Sequence, residues 1–406
     1  MTEWRLKDCC YSISDGDHLP PPKSSCGIPF ITISNIDSTN HIDFENTLFV
    51  PIEYYKNLDS IRKPQVNDII YSVVGSFGKP VLIKENRPFV FQRHIAILRP
   101  NNEIVDSRYL YYVMLSRDFY MQADSVALGA AQRTISLTSL RNMKVQLPDL
   151  DVQRRIAEVL SRYDALIENY QRQIKLLEEA AQRLYKEWFV DLRFPGHQST
   201  PIINNLPQSW QKKKLGEITC KFATGLNPRK NFVLGQGDNY YVTIKNMADN
   251  DVIFDDKCDK VDDEALEKIN KRSDLQQGDL LFSGIGTIGR VYLIDEPVVN
   301  WNISESVFTM RPVKEISPVF LYLMLLNKDI QDYCQSNAHG CAQKGIRMAD
   351  LKAYETIIPD KETLESFVTI ASKFINRSKS LRKQIRNLSE ARDRLLPKLM
   401  SGEIEV

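Results

Sequence analysis

Asp151 to Asp191 reads DVQRRIAEVLSRYDALIENYQRQIKLLEEAAQRLYKEWFVD, and its apolar residues recur alternately three and four apart. They are Ile156, Leu160, Tyr163, Ile167, Tyr170, Ile174, Leu177, Ala181, Leu184 and Trp188. A period of 3.5 is the narrow seam of a coiled-coil helix rather than the broad stripe of an ordinary surface helix. Glu158–Arg162, Glu168–Arg172 and Glu179–Arg183 add i,i+4 pairs in the favourable orientation. With no Gly or Pro inside it, the stretch predicts a rod of roughly 40 residues, about 60 Å long at ~1.5 Å per residue. Such a rod cannot bury its own seam, so it needs a partner helix.

The other end of the chain supplies one. From Leu364 a second seam runs through Phe367, Ala371, Phe374, Ser378, Leu381, Ile385, Leu388, Arg392, Leu395 and Leu399. Both rods follow a Pro-Asp step, Pro148-Asp149 and Pro359-Asp360, in which the Asp is a natural N-cap. Pro397 is expected to end or kink the second rod. Two matched helices separated by a folded region predict an intramolecular pair.

A repeat governs the rest of the chain. Asp68-Ile-Ile-Tyr-Ser-Val-Val-Gly-Ser-Phe-Gly78 returns as Asp279-Leu-Leu-Phe-Ser-Gly-Ile-Gly-Thr-Ile-Gly289, and Phe30-Ile-Thr-Ile-Ser-Asn35 returns as Tyr241-Val-Thr-Ile-Lys-Asn246. Arg99-Pro100 matches Arg311-Pro312, Tyr112-Val-Met-Leu115 matches Tyr322-Leu-Met-Leu325, and Gly129-Ala-Ala-Gln-Arg133 matches Gly340-Cys-Ala-Gln-Lys344. The offset stays near 211 and continues into the rods, where Ile174 and Leu177 meet Ile385 and Leu388. The chain is therefore two copies of one unit, each a globular module followed by a long helix.

Each module reads as mixed α/β (α+β) with many short strands: Phe30–Ser34, Asp68–Val74, Val81–Lys84 and His94–Arg99 in the first. Arg108–Asp124 and Pro318–Cys334 have helical period, and Lys144–Leu147 and Glu355–Ile358 read as closing strands. The expected organisation is a first module over 1–148, a rod over 149–192, a linker over 193–208, a second module over 209–358, a second rod over 359–400 and a tail over 401–406.

Composition bounds the function. Hydrophobic residues at 43% and charged residues at 26% are ordinary for a globular protein, and no apolar run approaches the ~20 residues of a membrane span. The amino-terminal MTEWRLKDCC is not a signal peptide, and seven cysteines without a CxxC pair point to reduced thiols, so a cytoplasmic location is expected. A net charge of +1 means that any nucleic-acid binding must come from local patches.

Motifs for catalysis are not apparent. Gly284-Ile-Gly-Thr-Ile-Gly289 spells GxGxxG, but Arg290–Ile294 after it reads as a strand, whereas a dinucleotide turn must open a helix. The five histidines have no ligand spacing, so neither a metal nor a cofactor is expected on this chain. The repeated Gly-x-Ala-Gln-basic loops are the better candidates for contact with DNA. In them Gln132 with Arg133, and Gln343 with Lys344, offer an adenine-reading amide beside a guanine- or phosphate-binding cation, although a repeated polar surface loop would look the same. Lys79 and Arg290, just beyond each glycine turn, are further candidates. So are Lys373, Arg377 and Arg382, from a run of six bases without an acid on the second rod, which a solvated helix face would also explain.

Three segments carry a family resemblance: LYKEWFVDLRFPG at Leu184–Gly196, LPQSWQKKKLGEI at Leu206–Ile218 and RLLPKLMSGEIEV at the carboxyl end. Together with the alternation of modules and helices they resemble the specificity subunit of type I DNA restriction–modification systems. The resemblance implies two target recognition domains held by an antiparallel coiled coil with pseudo-two-fold symmetry, each reading half of a bipartite site in double-stranded DNA. It implies docking of two methyltransferase subunits and of restriction (translocase) subunits, with S-adenosylmethionine, ATP and Mg on those partners and none on this chain. One departure is that DKETLESF follows Pro359 where DLDVQRRI follows Pro148. The competing reading is a coiled-coil assembly scaffold that does not read DNA.

Overall fold

The computed structural model describes residues 1–16, 21–37, 39–129, 133–248, 250–340 and 343–406. The chain forms two compact units, Met1–Tyr170 with Gln384–Val406, and Gln171–Lys383. Each unit therefore owns a module together with a segment of both long helices, rather than leaving the rods as separate domains. The reason is burial. Ile156, Ala157 and Leu160 of the first rod share a core with Leu396 and Leu399 of the second and with the first module's Leu6, Tyr109 and Leu110. Ala181, Tyr185, Trp188 and Phe189 do the same with Leu364, Phe367, Ala371 and Ile375 in the second unit, against Phe320 and Leu351.

The rods are α-helices over Leu150–Tyr185 and Lys361–Ser401. On the first, Leu160, Ile167, Ile174, Ala181 and Trp188 are buried, one per heptad. Tyr163, Tyr170, Leu177 and Leu184 are only half-buried, so the seam has one deep row and one at its rim. On the second, Leu364, Phe367, Ala371 and Leu381 are buried. There the deep row then departs from the expected seam: Ile375 is buried where Phe374 was expected and Leu396 where Leu395 was, while Ile385 and Leu388 are half-buried. Ser378, Leu381 and Leu399 stay buried on the expected seam, so each shift to the neighbouring residue is local. Within the second unit the rods run antiparallel, because Glu178 meets Ser378 while Trp188 and Phe189 meet Phe367 further along.

Three expectations about the rods are corrected. Pro397 does not end the second helix, which continues to Ser401 because Leu396 and Leu399 on either side of it are buried in the first unit's core. Glu168 does not pair with Arg172 but turns to Lys84 and His41 of its own module. The first rod gives way to a π turn over Lys186–Val190 and stops where Leu192 adopts φ +56°. Asp360 caps the second rod as expected, accepting from the Thr363 amide at 3.0 Å.

The two modules have the same topology. An opening strand pairs antiparallel with the closing one: Thr2–Arg5 with Lys144–Leu147, and Gln211–Lys214 with Glu355–Ile358. A four-stranded antiparallel sheet has the order Cys10–Asp15, Ile95–Pro100, Ile69–Ser72, Pro80–Leu82 in the first and Thr219–Thr224, Val307–Pro312, Leu280–Ser283, Val291–Leu293 in the second. A three-stranded sheet places Ile28–Ile31 between Leu48–Val50 and Val90–Phe91, and Asn239–Val242 between Asp259–Val261 and Trp301–Ile303. The repeated Arg-Pro and Asp positions are structural, since Arg99 pairs with buried Asp68 at 2.9 Å and Arg311 with buried Asp279 at 2.7 Å.

Each expected module helix is two helices. Ser107–Leu115 and Arg117–Val126 meet at Ser116, whose hydroxyl accepts from the Phe119 amide at 3.2 Å. Pro318–Leu326 and Lys328–Ser336 meet at Asn327, whose side-chain Oδ1 accepts from the Asp329 amide at 2.9 Å. Short polar side chains offer the backbone a local partner and so restart a helix. The 193–208 linker is folded as well. Ile202–Ile203 and Leu206–Pro207 form a hairpin around Asn204-Asn205, both at positive φ as a type I′ turn requires. Phe194 is buried, its ring centroid 4.7 Å from that of Trp210.

Candidate nucleic-acid interface

The glycine turns that spell a phosphate-binding motif are strand–turn–strand, as their context predicts. Leu280–Ser283 and Val291–Leu293 pair antiparallel around Gly284–Gly289. The Ser283 hydroxyl closes the turn by donating to the Thr287 carbonyl at 2.6 Å and accepting from the Arg290 amide at 2.8 Å. Ser72 does the same with Ser76 and Lys79, at 3.0 and 2.9 Å.

Around that turn the second unit gathers a row of loops. The Gly284 amide donates to the Ser306 carbonyl at 3.0 Å, and the Gly286 amide to the Lys344 carbonyl at 2.7 Å. The His339 and Gly345 backbones exchange reciprocal bonds of 2.8 Å, closing the neck of the loop that carries Gln343 and Lys344. Gly286 stands at φ +80°, and a Cβ there would lie 3.0 Å from Gln343 Nε2, so the glutamine amide lies directly over the turn. At the far end of the row the Gly225 amide donates to Ser304 at 3.2 Å. Any larger residue at 225 would drive a Cβ into the Ile303 carbonyl.

The first unit builds the same row. Val73 donates to His94 at 2.9 Å, Gly75 to Arg133 at 2.9 Å, and Leu128 and Thr134 close the neck of the loop between them at 2.9 and 2.8 Å. A further loop in each unit is closed on itself by a threonine–asparagine box and tied to the row by Lys79 or Arg290. The backbone amide of Thr32 donates to Asn35 Oδ1 at 2.9 Å, and that of Thr243 to Asn246 Oδ1 at 2.9 Å. Sequence reasoning aligned both stretches without assigning them a task. The Thr-x-x-Asn spacing within the repeat was the available signal.

This geometry sorts the expected DNA contacts. Lys79 and Arg290 hold loops: Lys79 Nζ donates to the Ile36 and Asp37 carbonyls at 3.2 Å, and Arg290 to Ile244 at 2.8 Å and to Met247. Arg133 is bound to Asp124 and lies over the Phe77 ring, 5.3 Å from its centroid. Gln343 and Lys344 are exposed at the loop tip. Gln132 lies outside the described residues. On the second rod Lys373 and Arg377 are exposed, but no contact among the described residues joins them to the loops. Arg382 sits inside the helix pair, bound to Glu178 and only 16% exposed, so it is not on the solvated face assumed for it.

Two clusters that the sequence did not suggest tie rods to modules. Glu168 accepts from Lys84 and stands 3.1 Å from His41 Nε2. The His41 contact, then that of Lys84, holds the Glu168 carboxyl down at about 2, and Glu168 raises the His41 ring above its ordinary value. Asp164 accepts from the Tyr112 hydroxyl at 2.6 Å and from Arg392 at 2.7 Å. Among the described residues no group of His, Cys, Asp and Glu is arranged to hold a metal ion. No helix among them is long and apolar enough to cross a membrane.

Comparison with known proteins places these features in a wider set. A family model described as type I restriction modification DNA specificity domain matches residues 5–179 and 207–390. The MjaIX specificity subunit of Methanocaldococcus jannaschii, a type I restriction enzyme component, is 25% identical over 76% of this chain and 71% of its own length. The HindI specificity subunit of Haemophilus influenzae is 23% identical over the full length of both chains (100% of each). In fold, the crystal structure of a type I S subunit from M. genitalium superposes with a TM-score of 0.56 at 16% identity, over 98% of this chain and 95% of that one.

Proposed function

Since the chain belongs to the type I restriction–modification DNA specificity family, we propose that each loop row reads one half of a two-part site in double-stranded DNA. The observation that carries this reading is the duplication itself. Equivalent backbone bonds join the glycine turn to its neighbouring loops in each unit, yet the side chains differ: exposed Gln343 and Lys344 have no side-chain partner among the described residues, whereas Arg133 is bound to Asp124. A fixed scaffold with variable tips is what selection of two different half-sites requires, because backbone contacts position a protein on DNA whereas base edges specify. In this reading the chain performs no chemistry. It directs two methyltransferase subunits, and through them restriction (translocase) subunits, to the site in the cytoplasm. S-adenosylmethionine, ATP and Mg belong to those partners.

The test is a genome-wide adenine-methylation map of the host with the gene intact and deleted. Loss of one two-part motif with a constant central gap is the expected result. A map unchanged by deletion in a host whose partner methyltransferase is expressed would favour the scaffold reading.

A further inference from the structure

The loop row of the second unit ends in a turn that the sequence reading passed over. Residues Pro228–Lys230 form a single 3-10 turn whose first amide, that of Arg229, donates to Asn227 Oδ1 at 2.9 Å. The turn is braced from below. Asn227 Nδ2 donates to Glu305 Oε1 at 2.7 Å, and the buried Tyr241 hydroxyl lies 2.6 Å from the Leu226 carbonyl and 3.1 Å from Glu305 Oε2. Asn231 Nδ2 donates back to the Asn227 carbonyl at 2.7 Å, and the Phe232 ring packs edge-on against Tyr241 at 5.5 Å. Gly225, at the base of the turn, abuts Ile303 and Ser304, and Ser306 two residues on accepts from Gly284 of the glycine turn.

The side chains of Arg229 and Lys230 are exposed, and among the described residues neither has an ion-pair partner. The carboxylate of this loop, Glu305, has both oxygens bonded to the brace and makes no ion pair with either cation among the described residues. Two adjacent unquenched cations on an immobilised turn lose little conformational freedom on meeting an anion. Resting on the proposed DNA reading, we infer that Arg229 and Lys230 grip DNA phosphates at the end of the second row and set the register in which Gln343 and Lys344 meet the bases. They are positioning contacts and carry no sequence preference.

The experiment uses the full chain assembled with its methyltransferase, and the probes are a duplex carrying the mapped motif and a mixed-sequence duplex of equal length. Affinity is followed against salt concentration by fluorescence anisotropy. For Arg229→Ala with Lys230→Ala, the log–log slope should flatten by roughly 2, close to ~0.9 per phosphate lost. Affinity should fall on the order of tenfold on both duplexes alike. Arg229→Lys with Lys230→Arg should keep the wild-type slope. An unchanged slope in the alanine variant overturns the inference while leaving the DNA reading intact, and so does a loss confined to the motif duplex. Failure of the wild-type complex to bind either duplex overturns both. Tyr241→Phe, which removes the hydroxyl's two contacts in the brace and no charge on the turn, should weaken binding without changing the slope by a full contact.

Discussion

Glu168 in the first unit and Lys379 in the second occupy equivalent places on their rods, 211 residues apart, and face equivalent places on their modules, Lys84 and Asp295. The tie is the same and its sign is reversed. Lys379 also donates to the Leu293 carbonyl at 3.0 Å, and burial lowers its ammonium pKa below the usual lysine value. The fold thus demands an anchored polar pair between rod and module, but not a particular polarity. The reversal has a consequence for specificity. Offered the other copy's module, Glu168 would meet Asp295 and Lys379 would meet Lys84, and like charges at close range oppose such a mispairing. A second difference runs alongside. Asp164 and Arg392 in the first unit stand where the second has Ile375 and Ala181, two residues of its apolar core.

The largest expected effect separates the units by their cores. Phe367 touches four aromatic rings, Tyr185, Trp188, Phe189 and Phe320, whereas its counterpart Ile156 is a smaller aliphatic side chain in a core of mixed aliphatic and aromatic residues. Phe367→Ala should cost about 4 kcal/mol and Ile156→Ala about 3 kcal/mol, each lowering the calorimetric transition of its own unit. Equal losses from both transitions would mean that the cores are not separable.

Next comes the polar pair. Asp164 is 12% and Arg392 24% exposed, so Asp164→Ala should cost about 2 kcal/mol by leaving the Tyr112 hydroxyl without its acceptor and the guanidinium with Asp393 alone. Replacing the cluster by apolar groups, with Asp164→Ile and Arg392→Ala as in the second unit and Tyr112→Phe to leave no orphaned hydroxyl, should recover most of that loss in a urea titration.

The pH response should divide the units by sign. Glu168, held at about 2 against an ordinary 4.5, contributes stability above 4.5 that is lost as pH falls toward 2. His41 is raised by Glu168 and, more weakly, by Asp37, against burial and Lys84, so its contribution is present below 6.5 and is lost as pH rises through its folded value. Lys379 is lowered, so the second unit gains stability as pH rises from its folded value toward 10.5. Melting curves of wild type, Glu168→Gln and Lys379→Met across pH 3 to 10 check this: Glu168→Gln should remove the acid limb and the His41 limb it sustains, and Lys379→Met only the alkaline one.

The smallest effect lies in the paired strands Ile69–Ser72 and Leu280–Ser283. Buried Tyr71 carries a hydroxyl with no hydrogen-bond partner among the described residues, at a position filled by Phe282 in the second copy. Tyr71→Phe should stabilise the first unit by about 1 kcal/mol, and Phe282→Tyr should destabilise the second by a similar amount.

These contrasts explain what was legible in the chain. Heptad spacing and the 211-residue offset are local and periodic, so the rods, the duplication and the closing strands Lys144–Leu147 and Glu355–Ile358 could be read directly. The helix breaks at Ser116 and Asn327 were missed because apolar periodicity continues across them and only the capping side chains interrupt it. At Pro397 the seam through Leu395 and Leu399 already pointed past the proline, and burial on either side of it outweighs the one lost hydrogen bond that was expected to end or kink the helix. At the candidate interface the glycine turns and Gln-basic loops were visible as repeats. That Lys79 and Arg290 spend their donors on neighbouring carbonyls depends on where residues 36–37 and 244–247 fold back, which no spacing reveals. Arg229 and Lys230 were overlooked because two basic residues in a loop are unremarkable until the brace beneath them is seen.

The central claim is that the two loop rows read DNA separately, and the most direct measurement is a methylation map of cells in which Gln343→Ala and Lys344→Ala replace the wild-type chain. The account expects the motif to relax at one or more positions in a single half, with the other half and the gap between them unchanged. Relaxation of both halves together, or uniform loss of methylation at every site, would contradict it.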